Sequence, residues 1–215
     1  MRAFASHCFH LLAFSALVYA DIIDRIAISV ANQVVTESQV DEEVRVTAFL
    51  NNEPLVLTPE ERKKAAGRLV DQALIKREMD MSRYPLPALS DADSTLADFK
   101  TRFSDQAAFE HAQRDYGISE EQVKQHLWWQ LTVLRFVDYR FRPGIQIQEA
   151  DVQSYYEGQL RKWKAQGIQP VPSLADERAQ IEEILTQQQI DESLDRWLTE
   201  TRGQVPIRYL DEALK

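Results

Sequence analysis

Cysteine occurs once in the 215 residues, as Cys8, and glycine only six times. A fold stapled by disulfides is excluded, and so is a thiolate metal site or a cysteine nucleophile anywhere beyond residue 8. So few glycines argue against Gly-rich phosphate loops and against β-rich folds that turn every few residues. Basic residues are in deficit as well, with 25 Lys and Arg against 34 Asp and Glu for a net charge of −9. Nucleic acid is held by clustered Lys and Arg, so it is not expected as a partner. G-x-S-x-G, P-loop, dinucleotide-binding and H-E-x-x-H patterns are also missing.

What is present is an ordinary globular composition, with 44% hydrophobic and 9% aromatic residues. That is enough for a buried core and too much for a disordered chain. The length suits one domain with at most a small satellite. Residues 1–20 are expected to lie outside it. Arg2 precedes an apolar run of about a dozen residues, among them Phe9, Leu11, Leu12, Phe14, Leu17 and Val18, and Val18-Tyr19-Ala20 places small residues where a signal peptidase would cut before Asp21. The run is shorter than the ~20 residues that span a bilayer. A cleaved secretory signal is therefore expected; an uncleaved anchor is the alternative. Cleavage removes Arg2 and Cys8, leaving 24 basic against 34 acidic residues and no cysteine. Such a protein must hold together by its core alone. No later segment reaches transmembrane length, so stable membrane insertion is not expected.

Residues 21–215 read as strand first and helices after. Ile26, Ile28 and Val30 alternate, and Ala31-Asn32-Gln33 forms a turn into a short return strand ending near Val35. Thr36-Glu37-Ser38-Gln39 is a capping box that opens a first helix to about Leu50, with Val40, Val44 and Ala48 on one face. Thr58-Pro59-Glu60-Glu61 opens a second, with Leu69, Val70, Ala73, Leu74 and Met81 as its stripe, stopped by Tyr84-Pro85-Leu86-Pro87. Ser90-Asp91-Ala92-Asp93 is expected to open a third and Asp105 a fourth, the latter ended by Gly117. Ser119-Glu120-Glu121-Gln122 starts a long fifth helix with Val123, Leu127, Leu131, Leu134 and Phe141 on one side. A sixth runs from Gln148 to about Ala165, and Ser173 caps a seventh that Gly203 follows. Val205-Pro206-Ile207-Arg208-Tyr209-Leu210 reads as a terminal strand, kept at a sheet edge by Pro206.

The chemistry is sparse. His111 and His126 lie on different helices without neighbouring cysteines, which suits surface or packing roles better than a metal site. The pairs Glu42-Glu43, Glu60-Glu61, Glu120-Glu121 and Glu182-Glu183 fall in first turns or on expected exposed faces, where helix-dipole and solubility roles explain them. No catalytic constellation, metal site or cofactor motif emerges. Aromatics on amphipathic helices stand out instead. Trp128 and Trp129 are adjacent, so they point about 100° apart and cannot both face one core. Together with Phe136, Tyr155, Tyr156 and Trp163 they are the candidate contacts for extended or unfolded chains, since aromatics give large contact area at low entropic cost. Core packing with one ordinary exposed aromatic is the alternative.

The order of these pieces resembles a known family. Ile26-Ala27-Ile28-Ser29-Val30-Ala31-Asn32-Gln33-Val34-Val35-Thr36-Glu37-Ser38-Gln39-Val40 is similar to the strand–turn–helix that opens SurA-type periplasmic chaperones and related parvulin-type foldases. Leu69-Val70-Asp71-Gln72-Ala73-Leu74-Ile75 resembles their second helix, and Ile147-Gln148-Glu149-Ala150-Asp151-Val152-Gln153-Ser154-Tyr155-Tyr156 the helix that leads into their isomerase domain. Gln189-Ile190-Asp191-Glu192-Ser193-Leu194-Asp195-Arg196-Trp197-Leu198, with the terminal strand, is similar to their closing elements. In that family a parvulin domain sits between the last two motifs. Here residues 167–172 are all that separates the sixth helix from the seventh, so the isomerase site is expected to be missing.

The resemblance thus implies a mostly α fold, a helical SurA-like chaperone core whose small sheet pairs the N-terminal and C-terminal strands. Residues 21–166 would form its N-terminal segment, 167–172 a linker and 173–215 its closing helix and strand. It further implies an ATP-independent holdase, not an enzyme, that binds unfolded outer-membrane or secreted proteins in the periplasm. A non-catalytic adaptor or assembly subunit of the cell envelope is the alternative function.

Overall fold

A computed structural model describes residues 24–214; the expected signal peptide and its cleavage site lie outside the described residues. The alternating Ile26, Ile28 and Val30 form β1 (Ile26–Val30), which pairs antiparallel with β2 (Gln33–Thr36). Ala31 takes a left-handed conformation (φ 51°) in the tight turn between them. On the other side of β1 lies β3 (Ile207–Tyr209), with Val30 opposite Ile207 and Ile28 opposite Tyr209. The sheet order is β2-β1-β3, so strands from the two ends of the described chain are neighbours, as expected. Pro206 leads into an edge strand, where its missing N–H costs no ladder bond.

Among the described residues, seven α-helices follow the hairpin in sequence. They are α1 (Glu37–Asn51), α2 (Pro59–Ser82), α3 (Asp93–Lys100), α4 (Gln106–Tyr116), α5 (Glu120–Phe141), α6 (Glu149–Ala165) and α7 (Leu174–Gln204). The architecture is mostly α with one small antiparallel sheet. Side-chain caps set most of the starts. Thr36 and Ser119 each form a complete capping box with the glutamine three residues on, and Thr58, Asp105 and Ser173 accept from first-turn N–H groups. Gly117 ends α4 at φ 65°, where an added Cβ would also lie 2.9 Å from Arg45 Nη1.

Among the described residues, three apolar clusters hold the elements together. The first joins the sheet to α1 and α2 and includes Ile28, Val30, Val40, Val70 and Leu74, with Val205 and Leu214 closing it. The second gathers Phe49, Phe99, Phe109, Val123 and Leu127 between α1, α3, α4 and α5. The third sets Ile75, Met79 and Phe136 against Tyr84, Trp129, Leu194 and Trp197. Beyond them α6 packs on α7, tied by Arg178 to Glu149 at 2.7 Å, while Arg142 reaches Glu183 of α7 at 2.9 Å.

Four expectations are corrected. Leu134 is exposed, because α5 serves two clusters in succession and its buried face turns from Val123 and Leu127 to Phe136 and Val137. Met81 is exposed, since at the end of α2 the buried line has moved to Ile75 and Met79. Ser90 caps nothing: it lies in a 3-10 turn (Leu89–Ala92) that runs straight into α3, and Asp91 beside it pairs with Arg135 at 2.7 Å. Gly203 lies inside α7, whose last ladder bond runs from Val205 N–H to Thr201 O at 3.0 Å. Pro206, with no N–H to give, ends the helix there and shortens β3 to three residues.

Candidate functional site

Trp128 and Trp129 leave α5 in different directions, as their adjacency requires, with ring centroids 6.4 Å apart. Both are half-buried. Trp128 Nε1 donates to Pro87 O at 3.1 Å and so ties the segment after α2 to α5. Trp129 leans on the third cluster, its indole N–H enclosed with no partner among the described residues. Both tryptophans line a cleft of about 460 Å³ walled by β2, α1, α2 and α5.

The cleft lining mixes apolar and charged side chains, both at its exposed edge and among its buried residues. Val34, 53% exposed, and Leu86, 51% exposed, contribute aliphatic surface to the same lining as Trp128, with Leu69 and Val46 less exposed. The buried residues include Glu43, only 5% exposed, whose carboxylate accepts from Arg68 Nε at 2.7 Å and Thr47 Oγ1 at 3.2 Å. His126 Nδ1 stands 3.6 Å from its other oxygen. Burial holds the His126 imidazole below its ordinary range, and the Arg68 cation pushes the same way, against the opposing pull of Glu43 and Glu42. Glu42, Lys76 and Asp80 complete the charged lining. A second cavity, of about 520 Å³ around Thr47, Val56, Lys64 and Arg68, contains no aromatic side chain.

The six aromatic candidates fall in three places. Trp128 and Trp129 meet at the cleft. Phe136 does not: at 2% exposure it is core, edge-on to Tyr84 at 5.1 Å, because α5 turns it inward onto α2. Tyr155, Tyr156 and Trp163 are half-buried on α6 and do not line the cleft. Tyr156 packs on Trp163 at 6.1 Å and donates its hydroxyl to Pro172 O at 2.8 Å, fastening the α6–α7 connection.

Glu43 is a further correction, since its pair with Glu42 reads as an exposed face. Its spacing could have exposed it: three residues after Val40 and four before Thr47, it shares the inward side of α1. His126 likewise packs at 14% side-chain exposure, whereas His111 is open and bonds Asp115 at 2.9 Å. No group of three or more His, Cys, Asp or Glu suited to a metal ion occurs among the described residues. Nor is any described helix long and apolar enough to cross a membrane. No protein-family model matches the chain, and a search of curated proteins finds none that matches it.

Proposed function

We propose that the protein is an ATP-independent periplasmic holdase of SurA-like type, which shelters unfolded outer-membrane or secreted polypeptides without a catalytic step or a cofactor. The observation that supports this most is the cleft itself: Trp128, Leu86 and Val34 present apolar surface in one concave place on a net-acidic chain. A cleft of this volume takes a few side chains at a time. Each apolar group entering it gains about 25 cal/mol for every Å² removed from water, enough for reversible capture without ATP. The acidic exterior repels other complexes and keeps the bound client soluble.

Dilution of a urea-unfolded outer-membrane protein into buffer, followed by light scattering, tests this proposal. Scattering should fall as the protein is added at near-equimolar ratios. Undiminished scattering at a several-fold molar excess would contradict the holdase function and favour the envelope-adaptor alternative.

A further inference from the structure

Five glutamines, Gln33, Gln39, Gln72, Gln122 and Gln125, line the cleft. The two capping boxes fix how two of them present themselves. In each box the cap N–H requires an acceptor, which commits the side-chain oxygen: Gln39 Oε1 accepts from Thr36 N–H at 2.9 Å, and Gln122 Oε1 from Ser119 N–H at 2.8 Å. The amide NH₂ of each is left without a partner among the described residues, carrying two donors. Two oriented donor groups therefore stand at one cleft, from the starts of α1 and α5.

The surrounding charges decide which acceptor suits them. Glu42, Glu43 and Asp80 line the cleft against Lys76, with Arg68 paired to Glu43, so the balance there stays negative. An anionic ligand is opposed there; a neutral carbonyl is not. The same lining includes Val34, Leu69, Leu86 and Trp128, which suit apolar side chains. A ligand that repeats a neutral carbonyl every ~3.3 Å and alternates its side chains is an extended polypeptide.

On the premise that the cleft takes client chains, we propose that Gln39 and Gln122 bind main-chain carbonyls of an extended client segment. Recognition then rests on the backbone every client shares, with the apolar wall adding a preference but no fixed sequence. The C-terminal carboxylate of a client is not the feature bound.

Glutamate serves at the third position of a capping box as glutamine does. Gln39→Glu and Gln122→Glu therefore keep the cap acceptor and exchange the NH₂ for an acceptor-only carboxylate oxygen, whose added charge acts little on an uncharged peptide and is screened at high salt. The probe is an acetylated, amidated, labelled peptide of Ser, Val and Phe without charged residues, its binding followed by fluorescence anisotropy. Each variant should bind about three- to tenfold more weakly, and the double variant more weakly still, at low and high salt alike. Melting temperatures should not fall. Wild-type binding that Leu86→Asp weakens but neither glutamate variant changes would overturn the carbonyl contact and leave the client cleft standing. Weaker binding with a matching loss of melting temperature would also overturn it, since the helix start rather than the donor would then be what was lost. Failure of the wild-type protein to bind the peptide would remove the premise and the inference together.

Discussion

At the scale of single residues the most consequential group is Glu43, a buried carboxylate of the cleft lining that depends on neighbours from α1, α2 and α5. Removing Arg68 leaves that buried acceptor short of its strongest partner. Arg68→Ala should cost about 1–3 kcal/mol, the usual penalty for stranding a buried polar group, tempered by the partial exposure of the arginine itself. For a chain of this size that is a fall of about 2–4 °C in melting temperature per kcal/mol. Adding Glu43→Gln should recover much of the loss, and an additive double variant would show that the two do not interact. His126 gives a pH signature. Its folded pKa lies below the ordinary 6.5, mainly through burial. Below that pH the unfolded chain binds a proton that the folded one refuses, so this residue makes stability fall with pH from neutrality downwards. Urea midpoints measured from pH 7 to about 5 should decline less in His126→Gln than in the wild type; identical declines would mean that His126 does not contribute to the pH dependence.

At the scale of elements the closing segment is the part that most needs its partners. Ala31 N–H donates to Pro206 O and Leu210 N–H to Ala27 O, while Val205 and Leu214 are buried in the first cluster. Deleting residues 205–215 removes these bonds and both buried side chains, and should cost about 4 kcal/mol or more. Leu214→Ala alone should cost about 2–5 kcal/mol by urea denaturation. An unchanged midpoint in either would mean the ends are not coupled. The pairing of those ends was legible because alternation in residues 26–30 and in 207–209 is a period-two signal with few competing explanations. Helix starts were legible for a similar reason, since Thr36, Thr58 and Ser119 are local chemistry. The inward turn of Phe136, the outward turn of Leu134 and the place of the α6 aromatics were not. They depend on which cluster each stretch of helix meets, a tertiary matter that spacing within one helix cannot decide. The cleft was half legible: adjacency separated the two tryptophans, but only folding brings β2, Gln39 and Gln72 to them.

At the scale of the whole molecule the α6–α7 connection matters as much as the cleft. Residues 166–173 make a direct turn between the two helices, fastened by Tyr156 to Pro172. Accordingly the protein should leave cis/trans exchange of an X-Pro test peptide at its uncatalysed pace of roughly tens to hundreds of seconds, and acceleration that co-purifies with the protein would contradict the proposed lack of an isomerase function. The proposed function places clients in the cleft and not on the aromatic face of α6. It is tested most directly by placing a photo-crosslinking residue at Leu86, on the cleft rim, or at Ile168, in the α6–α7 connection; both positions are exposed. After irradiation with an unfolded outer-membrane protein, adducts should form chiefly from position 86 and be outcompeted by an unlabelled apolar peptide. Adducts chiefly from position 168, or equal yields that the peptide does not reduce, would contradict it.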